Sequence, residues 1–313
     1  MKFLLIRFSA IGDCVMAAWA ATAIRHKHPD AFLCWAIESR CAPVVDRHAL
    51  ASRVYEFPRD RWKKKRWSPH TWREQMLAYA RLRQMNFDYG IDLQGHSKTA
   101  LCLRIAKPAK RVQARATDSL AARLNPMIGE PPEGMHTVEW NHKVLQTLGE
   151  FELPPHPIMP DPSAPEVWGP DPKLSKRISI SVSAGQADKS YPADQWRTVA
   201  EELLKQGHQV VFLGGPTDQP ILLEGAEDYV GKLGLDKTMS IVATSDLHLA
   251  ADTGTGHMAA AYGVPVVSVF GPTDYRSYRP YTTYSRVLRE GSSTGDVKPE
   301  QILAAAHELL EGQ

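Results

Sequence analysis

Six consecutive polar or conformationally permissive residues, from Asp252 to His257, separate two apolar runs in the second half of the chain. The pattern Asp-Thr-Gly-Thr-Gly-His predicts a strand that ends at Asp252 and a helix that begins near Gly256. The unpaired N–H groups at a helix start, together with the helix dipole, attract anions. Because glycine allows close approach and threonine adds a hydroxyl donor, this segment is suited to bind a diphosphate. The alternative is a tight turn in which Thr255 only caps the helix.

Two further strand ends in the second half carry side chains suited to a nucleotide. Ser183 ends the apolar run "RISISVS", and Lys189 follows before the helix that Pro192 opens. A lysine here can neutralise a leaving phosphate, or it is an ordinary solvated lysine. Asp218, in "FLGGPTD", can accept hydrogen bonds from a ribose or can simply stabilise a turn.

In the first half, Gly12 and Asp13 lie at the first strand-to-helix turn, in "LLIRFSAIGDCVMA". A carboxylate beside a helix N-terminus is held ionised, which suits a general base. The alternative is an ordinary acidic N-cap. Gln94 and His96, in "DLQGHSKTA", follow another strand end and are candidates to line a ligand cleft, with helix capping as the other interpretation of His96.

The segment "RDRWKKKRW", residues 59–67, contains six basic residues in nine, with Trp62 and Trp67 among them. It suits a phosphorylated or carboxylated acceptor, an anionic membrane surface or a nucleic acid, although most charge runs are solvated faces. Residues 1–150 hold 24 Lys and Arg against 14 Asp and Glu, whereas the remainder is acidic. This asymmetry favours an anionic partner for the first half.

The composition describes a globular protein rather than a membrane-spanning or secreted one. The chain has 313 residues, of which 43% are hydrophobic and 23% charged, and its longest apolar stretch is too short to cross a bilayer. Arg7 and Asp13 interrupt the N-terminal apolar run, which is a poor signal peptide. The four cysteines show no paired spacing, which favours reduced thiols in the cytosol. No metal-ligand spacing, Walker A sequence or dinucleotide-binding glycine motif after the first strand is present.

A proline-rich segment, residues 154–172, divides the chain and contains eight prolines in 19 residues. Proline fixes φ and removes a backbone donor, so this segment is predicted to be a linker. On both sides, short apolar runs alternate with helical patterns, which predicts βαβ units with parallel sheets. We expect two doubly wound α/β domains, residues 1–153 and 173–313, with ligands at the carboxyl ends of the strands. The last helix, residues 298–312, is a candidate to pack back on the first domain.

These motifs, taken in order, resemble glycosyltransferase family 9, the heptosyltransferases of lipopolysaccharide core assembly. The resemblance covers nearly the whole chain, and its most specific element is Asp-Thr-Gly-x-x-His followed by a strand and Gly-Pro-Thr-Asp. It implies a GT-B fold, in which two Rossmann-like domains face each other across a cleft. The matching segments are "IRFSAIGDCVMA", "DYGIDLQGHSKTALC", "HTVEWNHKVLQTLG", "KSYPADQW", "VVFLGGPTD" and "ADTGTGHMAAAYGVPVVSVFGPTD".

The resemblance also implies an inverting transfer of a heptose, or a related sugar, from a nucleotide sugar such as ADP-heptose. On this basis Asp13 is the base. The implied donor-binding residues are Ser183, Lys189, Asp218, Asp252, Thr253, Gly254, Thr255, Gly256 and His257. The implied acceptor-binding residues are Arg61, Lys63, Lys64, Arg66, Gln94 and His96.

The implied partners are the nucleotide-sugar donor and an anionic glycolipid, either the lipopolysaccharide inner core or another anionic glycan. We expect no metal or other cofactor, no nucleic acid, and a cytoplasmic protein that lies peripherally on the inner membrane. Two alternatives stay open: a GT-B sugar-nucleotide epimerase, and a non-catalytic protein that binds a nucleotide and an anionic surface.

Overall fold

A computed structural model describes residues 1–162, 168 and 176–312. Within it the chain forms two compact units, Met1–Pro160 and Asp161–Gln313. The boundary falls in the predicted linker, residues 154–172, of which 163–167 and 169–172 lie outside the described residues. In the described part of the chain, no helix is both long and apolar enough to span a membrane.

The first unit contains a five-stranded sheet in which every strand pairs in parallel, in the order β3-β2-β1-β4-β5. The strands are β1 (Lys2–Ile6), β2 (Phe32–Glu38), β3 (Arg53–Phe57), β4 (Tyr89–Asp92) and β5 (Lys110–Gln113). The helices are α1 (Ile11–Lys27), α2 (Arg59–Lys64), α3 (Pro69–Arg83), α4 (Ser97–Ala106), α5 (Ala121–Leu124) and α6 (Thr137–Gln146). Because the strand order reverses between β1 and β4, the loops that follow these two strands diverge at this point.

Helix α1 is the central packing element of the first unit. Every residue from Cys14 to Ile24 is buried, as expected for a helix whose apolar residues are not confined to one face. The helix packs against α6, and its many alanines allow close approach. A rigid α1 fixes its first turn, which carries Asp13.

The second unit contains a six-stranded parallel sheet in the order β11-β10-β9-β6-β7-β8. Counted from its own first strand, this is the Rossmann order 3-2-1-4-5-6. The strands are β6 (Arg177–Ser181), β7 (Gln209–Leu213), β8 (Ala226–Asp228), β9 (Leu247–Ala251), β10 (Val266–Val269) and β11 (Ser285–Leu288). The helices are α7 (Ala193–Lys205), α8 (Leu235–Ala243), α9 (Gly254–Ala261), α10 (Tyr275–Tyr278) and α11 (Pro299–Glu311).

The last helix, α11, belongs to the second unit. It packs against α7, β9, β10 and β11, and Ile302 and Ala306 lie in the same apolar core as Ile180 and Trp196. Helix α11 therefore completes the core of the second unit, and its packing on the first domain stays a prediction. The predicted α/β class with two doubly wound parallel sheets is confirmed.

Candidate functional site

Apart from Asp218, which follows β7, the donor residues predicted from the sequence lie at the topological switch point of the second sheet. Strands β6 and β9 are neighbours there, and the chain leaves them in opposite directions across the sheet. Ser183 and Lys189 follow β6, while the segment 252–257 follows β9. Open α/β sheets bind ligands at this kind of point, outside the carboxyl ends of the strands.

The N-terminus of α9 is open to a ligand. The helix begins at Gly254, two residues earlier than predicted, and its N-cap residue Thr253 makes no side-chain capping hydrogen bond. The interpretation of Thr255 as a helix cap is wrong, because its hydroxyl lies in the first turn, 2.6 Å from Ser181 Oγ on β6. Since the Thr253 side chain does not cap the first turn, its N–H groups are candidates to bind an anion.

Lys189 is an ion-paired residue rather than a solvated surface lysine. Its Nζ lies 2.9 Å from Asp252 Oδ2, and the two side chains are 29% and 9% exposed. The pair joins the loop after β6 to the residue that follows β9, next to the start of α9. A cation and a set of free N–H donors therefore converge on one place, which is the arrangement a diphosphate requires.

Gly256 and His257, the last two residues of the motif, lie in the first turn of α9 and are buried. A Cβ on Gly256 would lie 3.4 Å from Ser268 Oγ on β10, an ordinary van der Waals distance, so packing alone does not require glycine here. His257 is buried in the same turn. Donor contact by either residue stays a prediction.

Ser183 and Asp218 both stabilise their own loops. Ser183 Oγ accepts the Gly185 N–H at 3.1 Å, and Asp218 Oδ2 accepts the Gly215 N–H at 2.6 Å. These contacts support the turn interpretation of Asp218. Contact of Asp218 with a ribose and contact of Ser183 with the donor stay predictions.

In the first unit, Asp13 is not the N-cap of α1, because that position is Ala10. The Asp13 carboxylate accepts the Ala10 N–H at 3.1 Å and pairs with Arg7 at 2.6 Å. Arg7 is buried and also donates to Leu93 O at 2.6 Å, which ties the end of β1 to the end of β4. Asp13 itself remains 27% exposed, so an incoming hydroxyl can reach it.

A second carboxylate, Asp92, lies close by at the end of β4 and is fully buried. Burial raises the pKa of Asp92 to about 6, against the opposing hydrogen bonds from the Gly95 and Gln94 N–H groups. The side chain of Gln94 accepts the Phe8 N–H at 2.9 Å and is also buried. Gln94 therefore holds the two strand ends together, and its predicted contact with an acceptor stays a prediction.

Four cations surround one buried carboxylate at the end of β2, an arrangement we call the Glu38 cluster. Its cations are Arg40, Arg59, Lys63 and Lys98, with N–O distances to Glu38 of 3.1, 3.3, 3.6 and 3.4 Å. The Glu38 side chain is only 1% exposed. Burial opposes its ionisation, but Lys98, Arg40 and Lys63 outweigh this and lower the pKa of Glu38. The cluster retains an excess of positive charge, which suits an anionic ligand.

The basic stretch 59–67 therefore divides between two faces. Lys63 points inward to Glu38, whereas Arg61 pairs with Glu74 on α3. Trp62 is buried and packs against Phe57, with ring centroids 5.7 Å apart. Of the predicted acceptor residues, the structure brings only Lys63 into the Glu38 cluster. Lys64 and Arg66 are exposed, as is the neighbouring Trp67.

His96 is exposed at the N-cap of α4, and its Nδ1 lies 2.6 Å from Thr117 Oγ1. Burial of the ring edge and the nearby charge of Lys98 lower the pKa of His96, so the neutral imidazole is favoured. The capping interpretation fits its position, although the side chain itself makes no capping bond.

The sequence did not identify Arg7, Glu38 or Lys98 as site residues. Two of the three gave a signal in the sequence: Arg7 interrupts an apolar run, and Glu38 follows the run "AFLCWAI" directly. A charged residue where a buried parallel strand ends faces the ligand edge of the sheet. Within the described residues, no group of three or more His, Cys, Asp or Glu side chains is arranged to hold a metal ion, and the four cysteines are free and buried.

Known proteins share this fold and sequence pattern. The chain is 26% identical over 283 residues to lipopolysaccharide heptosyltransferase 1 of Pseudomonas aeruginosa, covering 88% of this chain and 79% of that protein. The structure of the E. coli heptosyltransferase WaaC with ADP superposes with a TM-score of 0.82 at 21% identity, covering 99% of this chain and 100% of that one. The same enzyme with ADP-2-deoxy-2-fluoro heptose gives 0.79 at 21% identity, covering 98% and 99%.

The likeness to the two WaaC structures confirms the predicted GT-B fold class. The family model for glycosyltransferase family 9 (heptosyltransferase) matches residues 76–303, which is most of the chain and includes the whole second sheet. The protein therefore belongs to glycosyltransferase family 9, the heptosyltransferase family.

Proposed function

We propose that this glycosyltransferase moves a heptose, or a related sugar, from ADP-heptose to a hydroxyl of an anionic glycan acceptor, the lipopolysaccharide inner core. The observation that carries the proposal is the uncapped start of α9 beside the Lys189–Asp252 pair. The relatives named as lipopolysaccharide heptosyltransferases and the solved structures with ADP support the same donor and acceptor class.

The donor diphosphate is assigned to the first turn of α9. The N–H groups of Gly254 and Thr255 face an anion there, and Lys189 supplies a positive charge. When the diphosphate engages Lys189, the carboxylate of Asp252 is released to accept hydrogen bonds from sugar hydroxyls. In this proposal, backbone N–H groups and Lys189 neutralise the leaving diphosphate, and no metal ion is needed.

The anionic part of the acceptor is assigned to the Glu38 cluster. Glu38 holds Arg59, Lys63 and Lys98 near one another, so that a carboxylate or phosphate meets several cations at once. Preordered cations lose less side-chain entropy on binding than mobile ones. An acceptor of this class sits in a bilayer, so the proposal places the enzyme at the cytoplasmic face of the inner membrane.

In the proposed reaction, Asp13 takes the proton of the acceptor hydroxyl while the acceptor oxygen bonds to the anomeric carbon. The bond between that carbon and the diphosphate oxygen breaks, and ADP leaves with the electron pair. Attack opposite the leaving group inverts the anomeric configuration. Arg7 holds the Asp13 carboxylate in position through the 2.6 Å contact.

The test measures ADP binding by calorimetry for the wild type, Lys189→Met and Lys205→Met. Lys205 is the matched control, because it pairs with Glu202 on the exposed face of α7. Loss of a charge-assisted contact raises the Kd of ADP about 10- to 100-fold in Lys189→Met, with little change in the control. Equal ADP affinity in all three proteins contradicts the donor assignment.

Product analysis separates this proposal from the two alternatives. A transferase forms a glycosylated acceptor only when acceptor is present, and it retains activity in a chelator. An epimerase releases an altered sugar without acceptor. A binding protein turns over no nucleotide sugar, and one that uses the basic unit on nucleic acid binds unrelated RNA with a steep salt dependence.

A further inference from the structure

The outward side of the basic stretch presents tryptophans and cations that the Glu38 cluster does not use. We define the Trp67 surface as Lys64, Lys65, Arg66, Trp67, Trp72 and Arg73, on the end of α2, the following loop and the first turns of α3. Trp67 is 80% exposed and Trp72 is 53% exposed. Leu77, one turn beyond Arg73 on α3, is 50% exposed. Large apolar side chains exposed together mark an interaction surface.

The cations of this surface are electrostatically uncompensated. The neighbouring acidic residues are already engaged, because Asp60 pairs with Lys63 and Glu74 pairs with Arg61. Among the residues that the structure describes, no acidic side chain pairs with any of the four cations of this surface, which are Lys64, Lys65, Arg66 and Arg73.

The exposed indoles are held in place by the local fold. Trp72 Nε1 donates to Arg66 O at 2.9 Å, and the Ser68 N–H donates to Lys65 O at 3.0 Å. The Arg66 guanidinium lies 5.2 Å from the centre of the Trp67 ring. The loop therefore presents Trp67 outward in a defined turn, instead of folding it back on the unit.

We propose that the Trp67 surface docks this enzyme on an anionic lipid bilayer. Indole rings favour the boundary between headgroups and acyl chains, and Leu77 adds exposed apolar area one turn beyond Arg73 on α3. The cations bind lipid phosphates, and each basic residue near the membrane surface raises the affinity about fivefold. The inference rests on the proposed function in one respect, since a bilayer-borne acceptor gives the docking its purpose.

A nucleic acid fits the same observations less well. Recognition of bases uses stacking on an aromatic face, and the Arg66 guanidinium lies over one face of Trp67. Exposed aliphatic surface such as Leu77 contributes to burial in lipid but not to contacts with phosphate and sugar. The combination of protruding indole, leucine and unpaired cations therefore favours the bilayer.

The test is co-sedimentation of the full chain with vesicles, in the absence of any sugar donor. Vesicles of phosphatidylethanolamine and phosphatidylglycerol are compared with vesicles of phosphatidylcholine alone. Trp67→Ala is expected to weaken binding to the anionic vesicles about tenfold, and Lys65→Ala with Arg73→Ala about 25-fold. Leu222→Ala, which removes a 69% exposed leucine from the second unit, is the matched control and retains wild-type binding.

Turnover with a water-soluble acceptor fragment is measured for the same variants and is expected to stay at the wild-type level. Because vesicle binding needs no donor, a failure of the docking proposal is distinguishable from a failure of the proposed reaction. Equal binding to both kinds of vesicle overturns the proposal, as does equal loss in Leu222→Ala. Displacement of the protein from vesicles by unrelated RNA at low stoichiometry also overturns it, in favour of a nucleic-acid surface.

Discussion

Replacing Asp13 with Asn separates a catalytic role of this carboxylate from a structural one. The amide keeps an oxygen that accepts the Ala10 N–H, but it cannot take a proton and cannot pair with Arg7. We expect kcat/KM to fall about 10²- to 10⁴-fold, the range for a lost general base. This corresponds to about 3–5 kcal/mol in the activation barrier.

The cost in stability is smaller and can be bounded from the structure. Breaking a fully buried ion pair costs about 3–5 kcal/mol. Asp13 is 27% exposed, and Arg7 keeps its bond to Leu93 O, so we expect about 1–3 kcal/mol, screened by solvent. At about 2–4 °C per kcal/mol, Tm falls by about 2–12 °C. A domain of ordinary stability stays folded at 25 °C after such a loss.

The assay pairs initial rates of sugar transfer at 25 °C with a thermal unfolding curve for the same preparation. Asp30→Asn is the matched control, because it makes the same chemical change at an exposed site in the first unit. If Asp13→Asn retains more than about a tenth of wild-type kcat/KM while its Tm falls, the carboxylate is structural and the proposed base is wrong.

Three further substitutions in the first unit have expected effects on stability. Asp92→Asn should remove a pH dependence of the unfolding free energy. Because burial raises the pKa of Asp92 to about 6, wild-type stability falls by on the order of 3 kcal/mol as the pH rises from about 4 to 6. The variant should lack this pH dependence when its stability is measured by denaturant titration. Glu38→Gln should act in the opposite sense, because the lowered pKa of Glu38 stabilises the fold above the ordinary carboxyl value. The variant should be less stable than the wild type at neutral pH, and the gap should close as the medium is acidified. Gly95→Ala should cost about 2 kcal/mol or more in urea unfolding, because Gly95 has φ +75° and a Cβ there would overlap the Arg115 carbonyl.

The two parallel sheets and most of their strands were accessible from the sequence because parallel strands buried on both faces are continuous apolar runs. The run "KFLLIRF" marks β1, and "RISISVS" marks β6. Strands β8 and β11 were missed because "AED" and "SRVL" are short edge strands with little apolar character. The donor motif was accessible for the same reason as the central strands, since it is contiguous and follows one of them.

The Glu38 cluster was not accessible, because its members come from separate elements. Glu38, Arg40, Arg59 and Lys98 approach one another only when the ends of β2 and β3 and the start of α4 meet at one edge of the sheet. Spacing along the chain carries no such information. The sequence likewise treated residues 59–67 as one basic surface, and only the burial of Trp62 shows that it has two faces.

Asp13 fits the proposed base best among four carboxylates near the carboxyl ends of the strands of the first sheet. Asp92 is basic enough, with its pKa raised to about 6, but it is fully buried and an acceptor hydroxyl cannot reach it. Hydrogen bonds from Ser97, and then from backbone N–H groups, lower the pKa of Asp118 to about 2, which makes it a weak base. Glu38 is 1% exposed and is already shared among four cations. Asp13 combines a partly exposed carboxylate with an ion pair to Arg7, which orients the carboxylate without enclosing it.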